Sequence, residues 1–113
     1  MDEPLVTDDD LFLMANLRPD ETGLPMVVWV SERGNARHDA RIKVSQTHGP
    51  RIDPNNTASV AIRPMPQVVA GKLSAADLRI VSDWVRLNEA ALLDYWNSQI
   101  STSELFRRLR TIP

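Results

Sequence analysis

The chain has no cysteine, which removes a disulfide framework, a thiolate nucleophile and an ordinary structural zinc site from consideration. Glycine is scarce: Gly23, Gly34, Gly49 and Gly71 stand far apart, so no glycine-rich loop can cradle a phosphate. No apolar run approaches the roughly 18 residues that a membrane span needs. The N-terminus is acidic and lacks the basic-then-apolar layout of a secretory leader, which makes the cytoplasm the expected compartment. Aromatic side chains are few, and His38 and His48 are the only histidines.

What remains is 113 residues, 42% hydrophobic and 25% charged, the make-up of one globular domain with its own core. The net charge of −2 is unevenly spread. Asp2, Glu3, Asp8, Asp9, Asp10, Asp20 and Glu21 face only Arg18 in the first stretch. The middle reverses the sign, with Arg33, Arg37, Arg41, Lys43, Arg51, Arg63 and Lys72 against Glu32, Asp39 and Asp53. Such blocks mark nucleic-acid contact, an acidic arm lying on a basic face, or ordinary surface charge. Residues 1–10 are expected to form a flexible acidic arm, and 11–113 a single domain.

Strand signals come first along the chain. Leu11 to Met14 is a short apolar run that suits either a helical turn with Asp residues near its N-terminus or, the reading preferred, a short strand ending before a turn at Pro19-Asp20. Leu24 to Val30 is β-branched and aromatic, apolar on both faces. From Asp39 to Ser45 the pattern alternates, with Ala40, Ile42 and Val44 on one face and Asp39, Arg41, Lys43 and Ser45 on the other, a half-buried strand with a cationic outer side. Turn formers fill 48–57, and Ala58 to Arg63 alternates again. Pro64 and Pro66 put any strand at Gln67-Val68-Val69 on an edge.

Helix signals follow. Ser74 is a cap, Asp77 stands three residues on, and Leu73 with Leu78 has staple spacing. Apolar residues recur at helical spacing from Ile80 through Trp84, Leu87, Leu92 and Trp96, predicting a helix over 74–97. Asn88 breaks this seam, either as a second cap or as a buried amide bonded to backbone. Ser101 and Glu104 form a capping box for a last helix whose apolar face is Leu105, Phe106 and Leu109. Strands followed by helices define an α+β fold: a small antiparallel sheet packed against a long helix, plus a short terminal helix.

Chemistry-bearing motifs are sparse. His38, His48, Asp39 and Asp53 supply metal-ligand types, yet no short spacing prearranges them on one element. Asp53-Pro54-Asn55-Asn56-Thr57 resembles the start of a calcium loop, but Ala58 and Pro64 occupy the positions of its glycine and glutamate. No nucleophile elbow serves either histidine. Nothing here points to an enzyme, and no cofactor is implied. Arg37, Arg41, Lys43 and Arg51 form the strongest binding signal, a cationic set suited to phosphates though without interleaved aromatics. Leu105, Phe106 and Leu109 are a second candidate, for docking on a partner.

The order of elements, with Gly71-x-Leu73 before a helix patterned Leu78-x2-Val81-x2-Trp84-x3-Asn88-x3-Leu92-x3-Trp96, resembles the bacterial family called domain of unknown function 4160 over residues 24–98. That family has a His- and Pro-rich turn before its second strand, where this chain has only His38 and Ala40. The resemblance implies a small protein working beside another small protein, in toxin–antitoxin-like or regulatory pairs, and it carries no catalytic residues. The leading expectation is therefore a non-enzymatic interaction or regulatory module, homo-oligomeric or paired with a protein. A nucleic-acid-binding regulator using the basic strand face and a small metal-dependent enzyme around His38 and His48 are the alternatives.

Overall fold

The computed structural model describes residues 14–113. The acidic arm expected at 1–10 and the apolar run Leu11-Phe12-Leu13 lie outside the described residues. The elements are β1 (Ala15–Leu17), α1 (Pro19–Thr22), β2 (Val28–Val30), β3 (Arg41–Ser45), β4 (Thr57–Ala61), β5 (Gln67–Ala70), α2 (Ala75–Trp96) and α3 (Thr102–Arg108). The strands form one antiparallel sheet in chain order, β1-β2-β3-β4-β5. The fold is α+β, as the pattern of strands before helices predicts.

Local chemistry sets the boundaries. The turn expected at Pro19-Asp20 is the short helix α1, which Pro19 opens and Gly23 closes at φ 82°. A Cβ on Gly23 would meet the Ile112 carbonyl oxygen at 2.5 Å. The strand expected from Leu24 shrinks to Val28–Val30, because Pro25 has no N–H for a ladder. Its carbonyl instead accepts from the Gly49 amide at 2.8 Å, while Met26 bridges to Gly49. β5 lies at the sheet edge beyond Pro64 and Pro66, pairing only with β4 among the described residues. Gly71, at φ 77°, ends it with its Cα hydrogen face pressed against β4.

The main core lies between one sheet face and the helices. Val28, Val30, Ile42, Val44 and Val60 pack with Val81, Trp84, Val85, Leu92 and Trp96 of α2. Ser74 caps α2, its hydroxyl accepting from the Asp77 amide at 3.0 Å. The buried seam runs through Val81, Trp84, Val85, Asn88, Ala91, Leu92 and Tyr95. Leu87, expected within it, is 42% exposed. Asn88 takes the inward position next to it, so the helix turns Leu87 outward.

Asn88 is the buried amide of the two alternatives. Its Nδ2 donates to the Trp84 carbonyl at 3.0 Å and to the Arg110 carbonyl at 3.1 Å. Its Oδ1 accepts from the Arg110 amide at 2.7 Å. The side chain thus pairs with residue 110 as a neighbouring strand would. Beyond it, the Ile112 amide donates to the Thr22 carbonyl at 2.8 Å and the Thr111 hydroxyl to the Glu21 carbonyl at 3.2 Å. Residues 109–112 form a strap between α2 and α1.

Candidate functional site

The sheet has a second buried face. Alternation along β2 sends Val28 and Val30 to the main core and Val27 and Trp29 to the other side, where Met14 packs on them. The register then aligns Asn16, Trp29, Lys43, Ser59 and Ala70 across all five strands. Trp29 is 1% exposed and Lys43 only 8%. The Lys43 ammonium donates to the Ser59 hydroxyl at 2.6 Å, a bond that a cation this removed from water requires. This corrects the half-buried strand with a cationic outer side: β3 is buried on both faces from Ile42 to Ser45.

The basic set is therefore divided. Lys43 is inside, and Arg41 is partly buried on the same face, opposite Ala61. Arg37 is exposed in the loop before β3, and Arg51 is exposed in the loop after it. A five-residue strand of about 17 Å separates those two ends. Arg37, Arg41, Lys43 and Arg51 do not form one continuous exposed patch.

The histidines also sit apart. His38 lies over Trp96, ring centroids 5.6 Å apart, and its Nδ1 is 2.8 Å from the Asp39 carbonyl. His48 reaches the first turn of α2, its Nε2 lying 2.9 and 3.0 Å from the two Asp77 carboxylate oxygens. That contact ties the 46–56 loop to the helix, and the Lys72 amide, in the segment between β5 and α2, donates to Gln46 Oε1 at 2.7 Å. Among the described residues, no group of three or more His, Asp or Glu side chains comes together to hold a metal.

Asp39 belongs to a different arrangement. The Arg63 guanidinium donates to both its carboxylate oxygens, Nε at 3.1 and 2.9 Å and Nη2 at 2.8 Å. Those bonds, helped by the Ala40 backbone amide, hold the carboxyl at about 2, below the ordinary 3.8. A folded-state value below the unfolded one stabilises the fold above 3.8, and this contribution fades as the pH falls toward 2. Arg63→Gln is expected to return the Asp39 titration, followed by carboxyl NMR, to the ordinary carboxylate range. It should also flatten the acid limb of the stability curve; an unmoved Asp39 would show that the pair does not set its value. Both side chains are about half exposed, so salt weakens the effect.

The α3 trio divides as well. Leu105 is fully buried in the main core, and Leu109 packs against it. Only Phe106, 47% exposed, is turned outward. Tyr95 and Thr102 share a hydroxyl contact at 3.0 Å, and Arg108 pairs with Asp94 at 2.8 Å, so α3 is fixed along α2.

Between α2 and the 107–110 stretch lies a hollow of about 480 Å³. Leu87, Ala90, Ala91 and Leu109 supply the apolar part of its lining, and Asn88, Arg107, Arg108 and Arg110 the polar and charged part. In the sequence these arginines have an ordinary reading, as cations near the C-terminal end of a short helix, and Leu87 falls in the apolar seam, so their convergence is not visible there. Nor is the role of Ser59, which depends on cross-strand register. The only signal for the hollow was a triple arginine cluster following an amphipathic helix.

The fold is thus a five-stranded antiparallel meander with a long helix across one face and a second, shorter helix strapped beside it. A scan against protein-family models matches none, and searches of the curated proteins and of the solved structures return no match.

Proposed function

We propose that this chain is a non-enzymatic interaction module that acts as a homo-oligomer or with a protein partner, through the outer surface of α2 and α3. One observation carries the reading: Leu87 and Phe106, 42% and 47% exposed, are large apolar side chains held outward on helices whose inner faces are already packed. Large apolar groups on rigid helices are the usual anchors of protein contacts. The resemblance to the 4160 family adds support for pairing with another small protein, including toxin–antitoxin-like pairing. The nucleic-acid alternative loses support from the burial of Lys43 and the separation of Arg37 from Arg51.

The test is a Leu87→Glu/Phe106→Glu double variant compared with the parent chain by analytical ultracentrifugation and by affinity isolation from host cells. The parent is expected to self-associate or to retain a stoichiometric protein, and the variant to lose that species while keeping its circular dichroism and Tm. A parent that stays monomeric and retains nothing that the variant loses would sink the reading.

A further inference from the structure

The hollow between α2 and residues 107–110 indicates what kind of partner segment fits. Its lining holds three arginines and no acid. Arg108 is engaged by Asp94, whereas Arg107 and Arg110 have no carboxylate within ion-pair distance among the described residues. The rim is also set in advance. Asn88 pins the Arg110 backbone on both its amide and carbonyl sides, and the Leu109 amide donates to the Leu105 carbonyl at 3.0 Å. Guanidinium groups raised from a fixed backbone lose less freedom when a ligand arrives, and their forks match carboxylates in bidentate geometry.

The rest of the lining favours one class of polyanion. Sites that hold single-stranded nucleic acid stack its bases on aromatic faces, and no aromatic side chain lines the hollow. Leu87, Ala90, Ala91 and Leu109 instead offer a small apolar part of the lining, enough to seat one aliphatic side chain beside the arginines.

From this arrangement we infer that the hollow is a docking site for an acidic segment of a partner protein, one that seats an aliphatic side chain on Leu87 and Leu109 and sets flanking carboxylates on Arg107 and Arg110. The inference rests on the interaction-module reading and specifies its partner. Carboxylates on exposed guanidinium groups speed encounter and set orientation, while the aliphatic anchor resists dissociation.

The experiment uses the full chain and a fluorescein-labelled peptide of glutamates with one central leucine, read by fluorescence anisotropy at several salt concentrations. A matched peptide with serine in place of the leucine and an oligothymidine of equal charge serve as comparisons. Saturable binding of the leucine peptide is expected, weakened about tenfold in an Arg107→Gln/Arg110→Gln variant, the loss of two charge pairs at a partly exposed rim. Leu87→Ser and the serine peptide should each weaken it as well. The arginine variant tests the idea even if Leu87→Ser disturbs the fold, because neither guanidinium is in an ion pair among the described residues.

Absence of binding, or binding that ignores both the arginine pair and the leucine, overturns the acidic-segment assignment. Oligothymidine that binds as tightly and is lost in the same variant overturns it too, in favour of a general polyanion site. These failures are separable from that of the module itself. If the Leu87→Glu/Phe106→Glu variant still loses a partner or an oligomer, the surface is an interface and only the acidic occupant is wrong.

Discussion

Asn88→Ala is expected to lower stability by about 3 kcal/mol, since it empties a buried side-chain site and leaves the part-buried carbonyl and amide of residue 110 without their partner. For a domain of this length that corresponds to roughly 15 °C in Tm. The loss comes from the strap more than from α2, because the helix keeps its own backbone ladder when the side chain goes. A chain ending at Leu109 loses the same bonds together with those of Thr111 and Ile112. Combining the truncation with Asn88→Ala should therefore cost clearly less than the two separate losses added. Chemical denaturation of the four chains measures the coupling, and strict additivity would show that Asn88 acts elsewhere. Asn88→Asp supplies a sign: it keeps the acceptor for the Arg110 amide but turns a carboxylate toward two carbonyls. It should be worse than alanine at neutral pH and recover on acidification.

Gly71→Ala is the second large loss, about 3 kcal/mol, from a left-handed backbone combined with a steric collision. Gly71 has φ 77°, and a Cβ there would lie 2.8 Å from both the Ala58 Cα and the Thr57 carbonyl oxygen. Both atoms belong to the β4 backbone, which cannot yield without breaking its pairing with β3. Gly34 separates the two causes: at φ 51° it is also left-handed, but nothing lies within 4 Å of its missing Cβ. Gly34→Ala should cost about 1 kcal/mol, the conformational part alone. Asparagine sharpens the contrast, since it tolerates the left-handed region; it should be nearly neutral at 34 and still costly at 71. Equal losses at the two positions, in thermal or denaturant melts, would refute the collision.

Where the sequence carries local information, the fold is legible in it. Ser74 with its apolar seam marks α2 to within a residue, and Ser101 with Glu104 marks the start of α3. Pro64 and Pro66 put β5 on an edge, because a residue without an N–H cannot sit in the middle of a ladder. What the sequence does not show depends on partners distant along the chain. Lys43 looks like an exposed member of an alternating strand; its burial follows from Trp29 and Ser59 on the adjoining strands, in a register that no local pattern specifies. Asn88 is ambiguous for the same reason, since its partner lies 22 residues away. The candidate site is the least legible part. Its arginines and Leu87 each have an ordinary local explanation, and only the packing of α3 along α2 brings them around one hollow.

The strap also bears on the order in which the molecule assembles. A meander pairs each strand with its neighbour in sequence, so the sheet closes through connections of 5 to 11 residues, a modest entropic cost. The Thr111 contact with Glu21 spans 90 residues, by far the longer closure. Sheet and α2 can therefore meet before the strap settles, and the expected transition state has the strap still loose. Disrupting it then accelerates unfolding and leaves the folding rate nearly unchanged. An equal slowing of folding in the chain ending at Leu109 would refute this. If the unfolding rate alone rises there, the 109–112 segment is a latch on how long the native state lasts, not a guide to how it is found.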